Sequence, residues 1–206
     1  MRFPAFLFSA LVWASAALTS AAPIDFDFKD PKSVNAMYFL LDSEVEPIMG
    51  LASGITGTVS FDPAEPKKLS GKILVAAESL RTDNTEMNKV LHGDDWMKVK
   101  ENTEISFTFQ EVKESKSTGD NQWELSVSGE FLCKGVKKAM TIPVRATYQK
   151  GGLANRMRGQ KGDLLILRTE FKINRKDFGI KPEMGNTVVA EEIQIRAAIV
   201  GAHAEK

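Results

Sequence analysis

The sequence is poor in groups that do covalent or proton-transfer chemistry. It holds one cysteine, Cys133, among 206 residues, so no disulfide can form within the chain. Only two histidines, His92 and His203, are present, which leaves acid–base catalysis short of its commonest general base. Neither sign of charge prevails. Lysine plus arginine and aspartate plus glutamate stand at 27 each, which argues against the broad positive field that binds nucleic acid or anionic membrane surfaces. No Asn-x-Ser/Thr acceptor occurs, which suits a bacterial exterior or periplasm better than a eukaryotic secretory route. Beyond residue 22 no apolar run reaches the ~20 residues needed to span a bilayer.

What remains is ordinary globular material. With 43% hydrophobic and 26% charged residues, the chain is neither disordered, collagenous nor a coiled-coil rod. At this length about 70% of the unfolded surface can be buried, so one domain can form without a disulfide or metal staple.

The start is an address. Met1 and Arg2 precede an apolar run from Phe3 to Leu18, then the small residues Thr19-Ser20-Ala21-Ala22. That order predicts a secretory signal peptide over residues 1–22, cleaved near Ala21 or Ala22, and an exported domain over residues 23–206. Loss of Arg2 leaves one more acidic than basic group. The expected location is the bacterial periplasm or exterior. No cysteine follows the run to carry a lipid anchor, and Cys133, in Phe131-Leu132-Cys133, reads as buried and inert.

From residue 33 onward apolar residues alternate with polar ones, the pattern of strands buried on one face. Ile73, Val75, Ala77 and Ser79 form one such set; Ile105, Phe107 and Phe109 form the next. Trp123, Leu125, Val127, Gly129, Phe131 and Cys133 make an unusually long one, and Met140, Ile142, Val144, Ala146 and Tyr148 follow. Leu165 to Ile173 and Val189 to Ile199 are the last two. With runs near Ala36 to Leu41 and Ile48 to Phe61, about eight strands are predicted, separated by turn-rich stretches such as Asp62-Pro63-Ala64-Glu65-Pro66.

One segment departs from period two. Met87, Val90 and Leu91 lie at helical spacing, so a short helix is predicted over Asp83 to Trp96, capped by Thr82 or Asp83. Strands with one apolar face must pack as two sheets or close into a barrel, and about eight strands closed on themselves leave room for side chains or one small ligand. The inward set includes small residues, Ala77, Ser79, Gly129, Ala146, Thr169 and Ala197, which either leave an apolar void or relieve crowding.

Catalytic and metal constellations are weak. His92 sits in Leu91-His92-Gly93-Asp94-Asp95-Trp96, a spacing that builds no specific metal cage, and His203 lies in a tail expected to fray. Asp177-Phe178-Gly179 spells a kinase tripeptide without the rest of that machinery. Gly50, Gly54 and Gly57 have the wrong spacing for a dinucleotide fingerprint and read as bends in a curved sheet. The basic tract Asn155 to Lys161 reads as a solvated loop.

Three stretches carry a family likeness. Gly54-Ile55-Thr56-Gly57-Thr58-Val59-Ser60-Phe61-Asp62-Pro63, followed by Ala77-Glu78-Ser79-Leu80-Arg81-Thr82, is the first. Gly129-Glu130-Phe131-Leu132-Cys133-Lys134-Gly135-Val136-Lys137-Lys138 is the second. Phe171-Lys172-Ile173-Asn174-Arg175-Lys176-Asp177-Phe178-Gly179-Ile180 is the third and the most specific. In order and spacing the set resembles the YceI-like family of exported, lipocalin-like lipid-binding proteins, over roughly residues 33 to 200. Two departures stand out. Asn88-Lys89-Val90-Leu91-His92 replaces the family's Arg-Asp-x-His-Leu helix stretch, and Asn102-Thr103 replaces its Tyr-Pro, so the family histidine's role is not carried onto His92.

The resemblance implies an all-β fold, an eight-stranded antiparallel barrel with one short helix, that holds a polyisoprenoid or isoprenoid quinone without acting as an enzyme. On that reading the cavity wall is Phe39, Phe61, Ile73, Val75, Ile105, Phe107, Phe109, Val127, Phe131, Ile142, Val144, Leu167, Phe171, Ile193 and Ile195. Arg175 and Asp177 are expected to brace a turn. No catalytic residue, metal or cofactor is expected beyond the isoprenoid lipid or quinone itself. The expected partner is a small apolar lipid, with no nucleic acid and no membrane span; a homodimer stays open. The competing reading is an exported β-domain with a solid interior that binds a protein or acts in a stress response through its loops.

Overall fold

The computed structural model describes residues 22–205, so the proposed signal peptide lies outside the described residues apart from its last position. Ten antiparallel strands form one sheet: β1 (Ile24–Asp27), β2 (Ala36–Leu41), β3 (Ile48–Ala52), β4 (Ile55–Phe61), β5 (Ser70–Ala76), β6 (Glu104–Gly119), β7 (Gln122–Cys133), β8 (Val136–Gln149), β9 (Gly162–Asn174) and β10 (Glu192–Ala204). Their order is β1-β4-β5-β6-β7-β8-β9-β10-β2-β3, and β1 also meets β10 at Asp27 and Ala202. Eight strands thereby close a barrel, the closed alternative of the two that the alternation allows and the one the family resemblance implies. β2 and β3 continue the wall along β10, and Leu51 and Arg81 exchange two 2.8 Å backbone hydrogen bonds beyond the end of β5.

Three details of the strand reading change. β1, the strand that closes the barrel against β10, lies ahead of residue 33, where the alternation begins. The run from Ile48 to Phe61 is two strands, because the chain turns at Ser53 and Gly54, where Ile55 N–H bonds the Ser53 carbonyl. The C-terminal tail does not fray before Ala204: it is the end of β10, and His203 packs edge-on to Phe26 while its Nδ1 lies 3.0 Å from the Asp25 carbonyl.

Turn chemistry sets the long hairpins. Asp120 and Asn121 join β6 to β7, with Asn121 at φ 57°, and Lys134 and Gly135 join β7 to β8 at φ 47° and 74°. Consecutive positive φ values match the twist of flanking strands, which accounts for glycine at 135.

Helix α1 (Thr85–His92) spans part of the predicted segment. Its cap is Asn84, not Thr82 or Asp83: the Asn84 side chain accepts from the N–H groups of Glu86 and Met87 at 2.9 and 3.0 Å. Thr82 is engaged elsewhere, its N–H donating to Asn88 Oδ1 at 2.7 Å. Trp96 lies past the helix, buried in the loop that returns to β6. The basic tract carries one turn of helix, α2 (Leu153–Arg156), in place of a plain loop.

The end of the barrel that holds β1 and α2 is filled. Phe26, Phe28, Phe61 and Leu165 are fully buried there, and Phe61 meets Trp123 edge-to-face at 5.3 Å. A polar belt fastens this end. The Asn35 side chain bonds the Phe28 and Val200 carbonyls and accepts from Val200 N–H. The Asp30 carboxylate accepts from the N–H groups of Lys32, Val34 and Asn35 and pairs with Arg156 at 2.8 Å. Burial pushes the Asp30 carboxyl up, but the N–H groups of Asn35, Lys32 and Val34 and then the Arg156 guanidinium outweigh it and hold it below the usual aspartate range.

Candidate functional site

Toward the α1 end the interior is not filled. A void of about 70 Å³ lies in mid-barrel, and a second of about 60 Å³ lies beneath α1 and the loops around it. Met37, Ile105, Phe131 and Ile195 border both, so the two are compartments of one apolar lumen. Phe131 stands between them, edge-on to Phe171 at 5.8 Å and to Phe178 at 5.5 Å.

Ile73, Val75, Ile105, Phe107, Phe109, Phe131, Ile142, Val144, Leu167, Phe171 and Ile195 border the mid-barrel void. Phe39 and Ile193 border the second. Phe61 and Val127, expected in the same wall, border neither: Phe61 belongs to the filled end, and Val127 is fully buried beside Ile142 without reaching either void. The small inward residues divide in the same way. Thr169 and Ala197 do face the void, whereas a side chain at Gly129 would collide with the Phe107 ring, at 2.7 Å, so an aromatic ring occupies that gap. Ala146 is buried in the filled end, and Ala77 and Ser79 form a 3₁₀ turn after β5.

Several wall residues escape the alternation. Leu80, Leu91, Trp96, Met97 and Ile180 roof the second void from turns, α1 and loops, where no period places a side chain inward. Only the helical spacing of Leu91 signals it.

The third sequence stretch builds the floor of that roof. Asn174 caps a 3₁₀ turn (Arg175–Phe178) by accepting from Lys176 N–H at 3.0 Å, and Gly179 ends it at φ 62°. Arg175 is completely buried without a carboxylate partner. Its Nε donates to the Ala190 carbonyl (3.0 Å), one terminal nitrogen to those of Ile180 (3.1 Å) and Lys181, and the other to those of Met184 (2.6 Å) and Val189 (3.1 Å). All five guanidinium donors thus have carbonyl acceptors, and the segment from 180 to 190 is drawn around one side chain. Arg175 braces the turn as expected. Asp177 does so through Lys138, 3.3 Å away, and not through Arg175.

Ionisable chemistry is sparse along the lumen. Ser106 and Thr169 border the mid-barrel void, but both hydroxyls are committed elsewhere, that of Ser106 to Glu104 Oε1 at 3.5 Å and that of Thr169 to the Pro143 carbonyl at 2.6 Å. His92 lies outside both linings; its Nε2 sits 2.6 Å from the Leu80 carbonyl, while Asp95 pairs with Lys181 at 2.8 Å. The Asp94 and Asp95 carboxylates therefore do not converge on the imidazole, and among the described residues no cluster of three or more metal-ligating side chains forms.

Cys133 borders the second void, and burial pushes its thiol up to about 12. The native protein is accordingly expected to resist alkylation by iodoacetamide at pH 8, while the guanidinium-unfolded chain reacts fully. Labelling of the native protein at the unfolded rate would show that the compartment opens to water.

A closed antiparallel barrel with an apolar lumen toward one end defines a lipocalin-like fold. The YceI-like domain model matches residues 30–201, and the chain belongs to that family. A UPF0312 protein of Pseudomonas aeruginosa is 23% identical over 202 residues, covering 94% of this chain and 95% of its own length. Protein YceI of Escherichia coli is 23% identical over 196 residues, covering 93% and 94%. Among solved structures, BcnA of Burkholderia cenocepacia superposes with a TM-score of 0.62 at 20% identity, covering 81% of this chain and 95% of that one. A polyisoprenoid binding domain from Saccharophagus degradans superposes with a TM-score of 0.60 at 8% identity, covering 87% and 98%. These likenesses establish the fold. Among the described residues no helix is long and apolar enough to cross a membrane.

Proposed function

We propose that the barrel binds a long apolar lipid, a polyisoprenoid or isoprenoid quinone, along its lumen and carries it without chemical change, after export and removal of residues 1–22. The observation that carries this reading is the apolar lumen itself, whose two compartments meet at Phe131. Among the described residues Cys133 is the one ionisable side chain on its lining, and its raised thiol pKa makes it a poor nucleophile or base. The polyisoprenoid-binding description of the Saccharophagus degradans domain supports the same ligand class.

The energetics favour chain length over polar recognition. Each methylene withdrawn from water contributes about 0.8 kcal/mol, offset by the cost of ordering the chain. The voids hold only a few methylenes each, so a long chain must displace side chains at the boundary they share, where Met37, Ile105, Phe131 and Ile195 lie.

Native mass spectrometry of the purified protein, followed by organic extraction, tests the reading. A stoichiometric prenyl chain or quinone is the expected result. A protein that comes empty and refuses added prenyl lipids would overturn it in favour of an interaction module working through its loops.

A further inference from the structure

The outer face of the barrel carries charge that the fold itself leaves unused. Arg145 on β8 stands directly opposite Arg168 on β9. Arg196 on β10 lies two residues from Ala198, the partner of Arg168, and so is its diagonal neighbour on the same face. All three are exposed. Like charges set directly across a ladder destabilise it. Acids are at hand, with Glu124 opposite Arg145 and Glu170 opposite Arg196. Yet among the described residues none of the three arginines makes an ion pair or a side-chain hydrogen bond, and the Glu170 carboxylate accepts instead from Gln194 Nε2 at 2.6 Å. Lysines elsewhere on the outer wall behave differently: Lys72, Lys137 and Lys172 each hold a carboxylate within 3.0 Å.

The three arginines border an outer depression of about 290 Å³. Val144, Thr169 and Ala197 line it too, and the same three residues border the mid-barrel void from inside. Here the β8–β9 ladder stops. Val144 and Thr169 are its last pair, and Val136–Pro143 runs on with no backbone pairing to the remainder of β9. Pro143 has no N–H to offer, and a single side-chain bond, Thr169 hydroxyl to Pro143 carbonyl, crosses the gap at that point. Side chains alone therefore separate the lumen from the arginines along this seam.

We propose that Arg145, Arg168 and Arg196 bind a phosphate group, and that its source is a prenyl phosphate whose chain passes through the β8–β9 seam into the lumen. Guanidinium forks match phosphate oxygens in pairs, and three of them beside two glutamates leave a net positive site for a dianion. The phosphate assignment stands on the arginines; its attachment to a chain rests on the lumen reading above.

Calorimetry of the purified protein with farnesyl phosphate, farnesol and inorganic phosphate separates these parts. Farnesyl phosphate is expected to bind roughly tenfold or more tightly than farnesol, the worth of one charge-assisted hydrogen bond. In R145Q/R168Q the two ligands are expected to bind alike, with farnesol unchanged from the parent. The variant relieves a like-charge pair, and circular dichroism verifies its fold. Equal binding of both ligands by the parent, or a preference that survives in the variant, overturns the proposal. If inorganic phosphate binds as well as farnesyl phosphate and the variant loses both, the site takes a free anion and the lipid source is wrong. If neither prenyl compound binds, the lumen reading fails, and phosphate binding, retained or absent, decides the arginine site alone.

Discussion

Replacing Ile142 with tryptophan is expected to abolish uptake of a prenyl lipid while leaving the barrel folded. Ile142 is buried on β8 opposite Val127, and it borders the mid-barrel void of about 70 Å³. An indole at this position would take up that space and leave no room for a chain to pass between Phe107 and Phe171. Overpacking of this kind costs about 1–3 kcal/mol, a fraction of the 5–15 kcal/mol typical of a domain. For a chain of this length each kcal/mol lowers Tm by about 2–4 °C, so a fall of about 2–12 °C is expected. The decisive comparison is the lipid adduct in native mass spectra of the parent and Ile142→Trp. A folded variant that still takes up lipid at the parental stoichiometry would sink the assignment of the lumen.

Arg175→Met is expected to have the largest effect on stability. The guanidinium is fully buried and supplies all five of its donors to backbone carbonyls between Ile180 and Ala190. Methionine fills part of the volume but leaves those carbonyls without their donor, and removing one side of a buried charged network costs about 3–5 kcal/mol. The resulting drop in Tm is about 6–20 °C at 2–4 °C per kcal/mol. The same substitution frees the segment that carries Ile180 over the second void, so Cys133 should become open to alkylation in the folded variant. A Tm within about 2 °C of the parent would mean that water replaces the guanidinium at little cost.

Much of the wall was legible because a strand has one period. Ile73, Val75, Ile105, Phe107 and Phe109 alternate in sequence and face one lumen in space, since successive side chains of a strand point to opposite sides. Period two says which face a residue takes, and not how far along the barrel axis the interior is packed. That is why Phe61 and Val127 face inward by the same period as the wall residues yet border neither void. Gly129 shows a further limit: a gap at one position was closed by the ring of Phe107 on the neighbouring strand, and pairing between strands is a property of register. The roof was the least legible part. Trp96, Met97 and Ile180 owe their placement to turns and to the carbonyl cage of Arg175, a set of acceptors that carries no side-chain identity and leaves no trace in sequence. The helix cap failed for a local reason, since Thr82 and Asn84 both suit the position and only the competing bond between Thr82 and Asn88 selects Asn84.

The unequal filling of the barrel separates two demands that a protein interior usually meets with the same residues. Phe26, Phe28, Phe61 and Leu165, pinned by the Asn35 and Asp30 belt, form a nucleus whose cohesion does not depend on what the other end contains. Amide exchange should accordingly be slowest in β4 around Val59 and in the first part of the β9 ladder around Leu165, and faster around α1. Substitutions in the half around Phe131 can then reshape the interior for a different occupant while the domain keeps its fold. Divergence in cargo and persistence of architecture are thereby assigned to opposite poles of one small molecule.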